Sequence, residues 1–426
     1  MKTDLSPARG MRDLLPATVA VRDHVLAAIT DVYRRYGYRR IETPALENIE
    51  RLQGGQGGEN EKLIYRVLRR GLDERVAADT AVGDLIDLGL RYDLTVPLSR
   101  FYGQNRASLP DPFRSFQVGP VWRAERPQKG RYRQFYQCDI DMLGEPSVLA
   151  EIELVEATTE ALAATGLADT TVRVSDRRFL SALAARAEVP EAAWDGLFIT
   201  LDKLDKIGWA GVRAELTGRG LPEPQVDRLT DTIEGLHGVE AGKLVDALAD
   251  ALPNLGEDVL ADLRTTADAL AVLAEQRDLR WEFDPTLVRG MGYYTGQIFE
   301  IVHPASAGSV AGGGRYDRLI GRLSGTDVPA CGISIGFERI VDLLGGTPER
   351  ASVAVLYDAD VPLAEVLAAA RRLRAAGRTV SPVRRRGKFG AQLGRLEEWG
   401  FGSFVHLRAD LLDATAELQE RHLGEA

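Results

Sequence analysis

Apolar residues recur at helical spacing over Val19–Tyr36, with Val21, Val25, Ile29 and Val32 on one stripe, which predicts an amphipathic helix. The chain then becomes extended at Tyr38–Pro44, YRRIETP. Within Val121–Asp141, two segments of period-two alternation flank a loop crowded with Arg, Lys and Gln, the pattern of a hairpin. In the second segment Phe135, Gln137, Asp139 and Asp141 share one face, and Gln134, Tyr136, Cys138, Ile140 and Met142 share the other. Glu151–Gly166 reads as an amphipathic helix stopped by its glycine.

From about residue 170 to 280 strand signals fade and Ala, Leu, Asp and Arg recur at helical spacing, which predicts a helical insertion between two parts of one domain. Strand-like, Gly-rich sequence returns at Trp281–Leu344. A linker, Gly345-Gly346-Thr347-Pro348, precedes a β-α-β pattern: SVAVLYD, the helix Leu363–Ala376, then RTVSPV. The expected organisation is therefore a first domain in two parts, 1–169 and 281–346, an insertion over 170–280 and a C-terminal domain over 350–426. The Gly-rich run Gly54–Glu61 is expected to be a loop.

Composition narrows the class. A chain of 426 residues exceeds one ordinary core. No apolar run approaches the roughly 20 residues that span a bilayer, and the first residues lack the apolar stretch of a secretory signal. Cys138 and Cys331 are the only cysteines, too few for a Cys-rich zinc site, and both fit buried free thiols. A cytoplasmic location with no membrane partner is the expectation. The net charge of −10 argues against non-specific coating of nucleic acid. Yet Arg371–Arg395 holds nine Lys/Arg and no Asp/Glu, a patch able to meet phosphate whatever the overall sign.

The hairpin carries the candidate chemistry. Arg123, Arg126, Arg131 and Arg133 crowd its loop with Glu125, and guanidinium groups grip phosphate oxygens bidentately. Gln137, Asp139 and Asp141 leave the loop on one face, so a cationic turn adjoins an anionic strand. That pairing suits a substrate with both phosphates and an ammonium group. Leu90–Arg100, LRYDLTVPLSR, places Asp93 and Thr95 on one face of a piece read as extended, where carboxylate and hydroxyl can accept from an ammonium. Arg289 precedes a Gly-x-Gly and the pair Tyr293 and Tyr294, of which one is expected only to pack. Ala311–Asp317, AGGGRYD, lets backbone approach a ligand, but it is neither a P-loop nor a dinucleotide fingerprint. In Cys331–Leu344 a strand turns into an apolar helix with Arg339 on its first turns.

Taken in this order, the segments resemble the class II aminoacyl-tRNA synthetases, and specifically the histidyl-tRNA synthetase family. YRRIETPALE resembles motif 1, with Pro44 at its proline. VWRAERPQKGRYRQF resembles motif 2, and GISIGFERI resembles motif 3. RGMGYYTG and AGGGRYD resemble the two histidine signatures. LRYDLTVP resembles the form of the eukaryotic and archaeal branch, and LDKLDKIGW also looks like family sequence. The resemblance covers nearly the whole chain.

It implies an α+β fold: an antiparallel six-stranded sheet flanked by helices, a helical insertion and a C-terminal α/β domain like those that bind anticodons. It implies a homodimer through motif 1 and a ligase that activates L-histidine with ATP, Mg2+ accompanying the nucleotide, then charges tRNA(His). By similarity, Arg123 and Arg339 would grip the ATP phosphates, and Glu125 would serve the adenine or metal region, with Arg131 and Phe135 completing the ATP site. Arg289 would stabilise the α-phosphate as the histidine carboxylate attacks. Asp93, Thr95 and Gln137 would hold the ammonium. Asp141 and Tyr294 would bracket the imidazole, with Tyr293 beside them and Tyr316 closing the pocket. Gln128 would approach the acceptor end of the tRNA, and Arg384, Arg385 and Lys388 would meet it from the C-terminal domain. No residue is assigned to a metal.

The chain departs from the family pattern twice. Gly292 stands where the signature usually carries an acidic residue. After Phe404–Leu407 the C-terminal domain passes almost directly to LLDATAELQERHL, read as the last helix, without the family's further strand pair. Two other readings stay open: a paralogue that activates histidine or a related amino acid without charging tRNA, and a non-catalytic regulatory subunit of ATP phosphoribosyltransferase.

Overall fold

The computed structural model describes residues 4–54, 60–72, 79–126, 131–290, 293–345, 352–411 and 418–424. The chain forms two compact units, Met1–Asp13 with Val25–Leu344, and Leu14–His24 with Gly345–Ala426.

In the larger unit eight strands make one sheet: β1 (Arg39–Arg40), β2 (Phe113–Trp122), β3 (Gln134–Leu143), β4 (Thr171–Asp176), β5 (Arg280–Phe283), β6 (Gln297–Val302), β7 (Ala311–Arg315) and β8 (Ala330–Ile335). Their order is β1-β2-β3-β8-β7-β6-β4-β5. The six central strands are antiparallel throughout. β1 and β5 add parallel edges. The expected six-stranded antiparallel sheet is thus the core of a slightly wider one.

The alternation along β3 explains which face does what. Cys138, Ile140 and Met142 are wholly buried, and the helix Leu149–Ala164 packs against β3, β7 and β8. Burial of three such side chains is worth on the order of 5 kcal/mol. The same helix is tied to β7 by a buried pair, with Arg315 Nε donating to Glu151 Oε1 at 2.5 Å and Nη2 to Oε2 at 2.6 Å. Deleting either partner would strand a buried charge, at about 3–5 kcal/mol. The other face of β3, bearing Gln137, Asp139 and Asp141, is left for chemistry.

Thr171–Asp176, grouped with the insertion by its neighbours' composition, is instead strand β4 of the sheet. Helices run from Arg177 to Arg277. Asp176 caps the first of them, its Oδ1 accepting from the Arg178 amide at 2.7 Å. Phe179, Phe198, Leu216, Leu229, Ile233, Leu248 and Leu263 fill the insertion's core. Leu90–Arg100 is not extended either: a helix, Thr95–Asn105, starts inside it. Asp93 Oδ1 accepts from the Val96 amide at 3.1 Å, and Pro97 falls in the first turn, where its missing N–H costs nothing. The period-two pattern was too short there to outweigh a helix start.

The smaller unit has a four-stranded sheet of β9 (Ser352–Tyr357), β10 (Thr379–Arg384), β11 (Phe401–Leu407) and β12 (Glu420–His422), in the order β10-β9-β11-β12. β9, β10 and β11 are parallel, joined by the helices Leu363–Ala375 and Phe389–Glu398. Glu420–His422, read from sequence as part of the last helix, pairs antiparallel with β11. There Glu420 Oε1 accepts from the Ser403 hydroxyl at 2.5 Å. Among the described residues no helix is long and apolar enough to cross a membrane.

Candidate active site

The free face of the sheet floors a cleft of about 830 Å³. Thirteen side chains singled out in the sequence converge on it: Asp93, Thr95, Arg123, Glu125, Arg131, Phe135, Gln137, Asp141, Arg289, Tyr293, Tyr294, Tyr316 and Arg339. They come from strands, a helix start and loops far apart in the chain.

One end is cationic. Arg123 leaves β2 with its Nε donating to the Tyr92 carbonyl at 3.0 Å and its guanidinium 5.0 Å from the centre of the Phe135 ring. Arg131 pairs with Glu125 at 3.8 Å. Arg339, on the first turn of the helix Phe337–Leu344, donates to the Ser309 carbonyl. Arg289 Nη1 donates to the Phe299 carbonyl at 3.3 Å and lies 3.7 Å from Glu300. The glycines of β7 make room for it: a Cβ on Gly312 would stand 1.7 Å from Arg289 Nη1.

The other end is anionic. Asp93, Asp139 and Asp141 are all buried. Burial pushes Asp93 up to about 6, against the Val96 N–H and the charge of Arg123. Burial likewise raises Asp141 to about 7, partly offset by Tyr316 and reinforced by Asp93. Asp139 is raised by burial and by the adjacent Asp141. Tyr316 donates its hydroxyl to Asp141 Oδ1 at 2.5 Å. The second oxygen, Oδ2, is buried and has no partner, as does Gln137 Oε1. Both residues line the cleft, where a ligand N–H can reach buried acceptors of this kind. Gly332 is the close approach here, since a Cβ would meet Asp141 Oδ1 at 2.0 Å.

Both tyrosines of the pair reach the cleft. Tyr293 meets Tyr294 edge-on at 4.7 Å and stacks on Tyr316 at 5.4 Å. The three rings make an apolar wall beside the carboxylates.

Several lining residues escaped the sequence reading. Asp139 was on the polar face but unassigned, and Ser334 and Glu338 lie inside the motif 3 segment; alternation along β3 and β8 could have drawn in the first two. Glu338 fastens the N-terminal segment to the site: it accepts from Arg12 Nη2 at 2.5 Å and from the Tyr136 amide at 3.1 Å. Arg12 also donates to the Tyr132 hydroxyl at 3.0 Å. Asp195 and Ile199 line the cleft from the helical insertion, where no local signal sets them apart.

Gln128 and Gly292 lie outside the described residues. Arg384, Arg385 and Lys388 belong to the smaller unit. Arg384 ends β10 and Lys388 precedes a helix, both exposed. Arg385 pairs with Asp358 at 3.3 Å, a carboxylate that His406 also meets at 3.2 Å. Among the described residues no group of three or more His, Cys, Asp or Glu could hold a metal ion.

The cleft therefore offers guanidinium groups suited to a polyphosphate at one end, Arg289 among them, and buried carboxylates suited to a cationic or N–H-rich group at the other. Comparison with known proteins agrees in kind. Residues 10–340 match the family model described as Histidyl-tRNA synthetase. The histidine–tRNA ligase of Leifsonia xyli subsp. xyli is 50% identical, over 96% of this chain and 97% of the relative. That of Aeropyrum pernix is 41% identical, over 79% of this chain and 73% of the relative. Among solved structures, histidyl-tRNA synthetase from Nostoc sp. PCC 7120 superposes with a TM-score of 0.79 at 27% identity, covering 96% of this chain and 93% of that one.

Proposed function

The chain belongs to the histidyl-tRNA synthetase family, and from that premise we propose that its cleft activates L-histidine with ATP and transfers the histidyl group to tRNA(His). In the first step a carboxylate oxygen of histidine attacks the α-phosphorus, a P–O bond forms, and pyrophosphate leaves with the electron pair of the broken one. In the second, a ribose hydroxyl at the tRNA end attacks the histidyl carbonyl and AMP departs.

The residue roles follow the charge of the cleft. Arg123 and Arg339 bind the ATP phosphates with Arg131, and Phe135 offers its ring to the adenine. Glu125 stands on the nucleotide side. Arg289 meets the α-phosphate, where negative charge grows on the non-bridging oxygens in the transition state. A guanidinium held by Phe299 and Glu300 is already oriented for that charge, so little reorganisation is needed. Asp93, Thr95 and the free Gln137 oxygen receive the ammonium. Asp141 Oδ2 accepts from an imidazole N–H, with Tyr294 on the other side of the ring and Tyr293 and Tyr316 closing around it. Rejection of amino acids without such an N–H then comes from leaving Asp141 buried and unpaired.

The observation that carries the reading is the pair of buried, unpartnered acceptors, Gln137 Oε1 and Asp141 Oδ2, on the strand that also leads from the arginine-rich turn. Mg2+ would arrive with the triphosphate oxygens, as a hard ion that keeps most of its waters; it adds charge neutralisation on the phosphates. Gln128, Arg384, Arg385 and Lys388 are proposed to face the tRNA. A homodimer through the segment around Pro44 and a cytoplasmic location complete the proposal. The C-terminal departure does not weaken it, because the chain is nearly coextensive with a half-identical histidine–tRNA ligase.

Two assays test it. Histidine-dependent exchange of pyrophosphate into ATP is expected, and so is charging of a tRNA(His) transcript. No exchange with histidine would overturn the activation step; exchange without charging would overturn the transfer.

A further inference from the structure

We propose that Ser334, braced by Asp139, is a positioning residue that turns the carbonyl end of the Gln137 amide toward the substrate ammonium. The inference rests on the assignment of Gln137 to the ammonium group given above.

Ser334 on β8 stands directly opposite Asp139 on β3. Its hydroxyl donates to Asp139 Oδ1 at 2.5 Å. Gln137 lies two residues earlier on the same face of β3, diagonal to Ser334 and within its reach. Its Nε2 meets Ser334 Oγ at 3.3 Å. A serine hydroxyl has one hydrogen. Once that hydrogen goes to Asp139, Ser334 can only accept, so Gln137 must face it with the NH2 group. The carbonyl oxygen is then turned away from Ser334, and it is the atom found buried and without a partner.

Polarity is what the arrangement decides. An amide is nearly symmetric in shape, and either end could occupy the cleft. With the NH2 group outward it would confront an ammonium donor with two more donors. With the oxygen outward it offers a lone pair. Without Ser334 the carboxylates of Asp93, Asp139 and Asp141 that line the same cleft would draw the NH2 group toward it, and most of the population would present the wrong end. A binding-competent fraction of one in ten weakens apparent affinity tenfold. An ammonium entering among these carboxylates also favours the ionised form of Asp139, which keeps it an acceptor.

The test is steady-state activation kinetics with a binding control. Ser334→Ala is expected to raise KM for histidine about tenfold while KM for ATP stays unchanged. Ser334→Thr keeps the hydroxyl and should restore near-normal KM, which also covers the case in which the alanine variant folds poorly. In a Gln137→Ala background, Ser334→Ala should add nothing. 3-(Imidazol-4-yl)propionate lacks the ammonium, so its inhibition constant should be the same in the parent and in Ser334→Ala. An unchanged histidine KM in Ser334→Ala overturns the inference, as does a further loss in the Gln137→Ala background. Equal weakening of the deamino analogue also overturns it, since that marks a general distortion. If Gln137→Ala itself leaves histidine KM unchanged, the ammonium assignment falls first and the inference with it.

Discussion

The two ends of the cleft stabilise charge in opposite ways. At the phosphate end the guanidinium groups of Arg123, Arg289 and Arg339 each rest on a backbone carbonyl. An arginine stays charged in any working environment, so that end is finished before a ligand arrives. At the other end Asp93, Asp139 and Asp141 are buried together, and each is pushed upward by burial. Asp141 has one oxygen paired with Tyr316 and one with nothing. That end is unfinished, and a bound cation or N–H donor would complete it. The difference teaches where binding energy comes from: pre-set cations lower a barrier, whereas strained carboxylates reward the right substrate.

The largest expected effect breaks the finished end. Arg289→Ala should reduce the activation rate about 10²–10³-fold, the loss of one transition-state donor at roughly 3–4 kcal/mol. Circular dichroism should be unaltered, because only one carbonyl and one carboxylate lose a contact. A near-normal rate would contradict the role given to it.

Asp141→Asn tests the unfinished end and should separate binding from stability. Histidine KM is expected to rise about 100-fold, a loss of on the order of 3 kcal/mol for a buried, charged acceptor. Stability should move the other way. Asp141 titrates near 7 when folded and near the ordinary 3.8 when unfolded. Its contribution is therefore fully favourable below about pH 4 and is lost as pH rises through about 7. At pH 8 the ionised carboxylate destabilises the empty protein, and the asparagine variant should be more stable by on the order of 4 kcal/mol. At pH 4 that gain should vanish.

The same titration predicts a proton count. At pH 6.5 part of the empty protein carries a proton on Asp141, and a donor at Oδ2 favours its release. Calorimetry in two buffers of different ionisation enthalpy should show protons released on histidine binding, and fewer in Asp141→Asn. Release that is identical in both would detach Asp141 from the ligand.

Smaller effects should follow from the supports. Tyr316→Phe removes one donor to Asp141 and should raise histidine KM about fivefold, close to the 1 kcal/mol of a single hydrogen bond. Combined replacement of Arg384, Arg385 and Lys388 by alanine should weaken tRNA a few-fold and flatten its salt dependence, with pyrophosphate exchange unchanged. Equal tRNA affinity across salt would remove that patch from the interface.

Much of the cleft was legible because its residues sit where period and chemistry coincide. β3 announces itself by alternation, and its polar face cannot be a core face, so Gln137 and Asp141 stand out. Arg289 and the β7 glycines were visible as a cation and a run without side chains, although only the fold shows that Gly312 exists to admit Arg289. Asp195 and Ile199 were not legible: the helical insertion folds them over the cleft, and sequence carries no mark of that distance. The helix at Thr95 was missed because a carboxylate that caps and a proline in the first turn look, in a short window, like an extended piece. β4 was hidden by the helical composition that follows it.

Orientation decides how the cleft works: imidazole and ammonium at the carboxylates, phosphates at the arginines. A crystal structure with histidine and a non-hydrolysable ATP analogue measures this directly. The predicted result is an imidazole nitrogen and the ammonium within about 3.2 Å of Asp141 Oδ2 and Gln137 Oε1 respectively, with the α-phosphate beside Arg289. A histidine bound with both acceptors still unpartnered, or with its ring among Arg123 and Arg339, would contradict it.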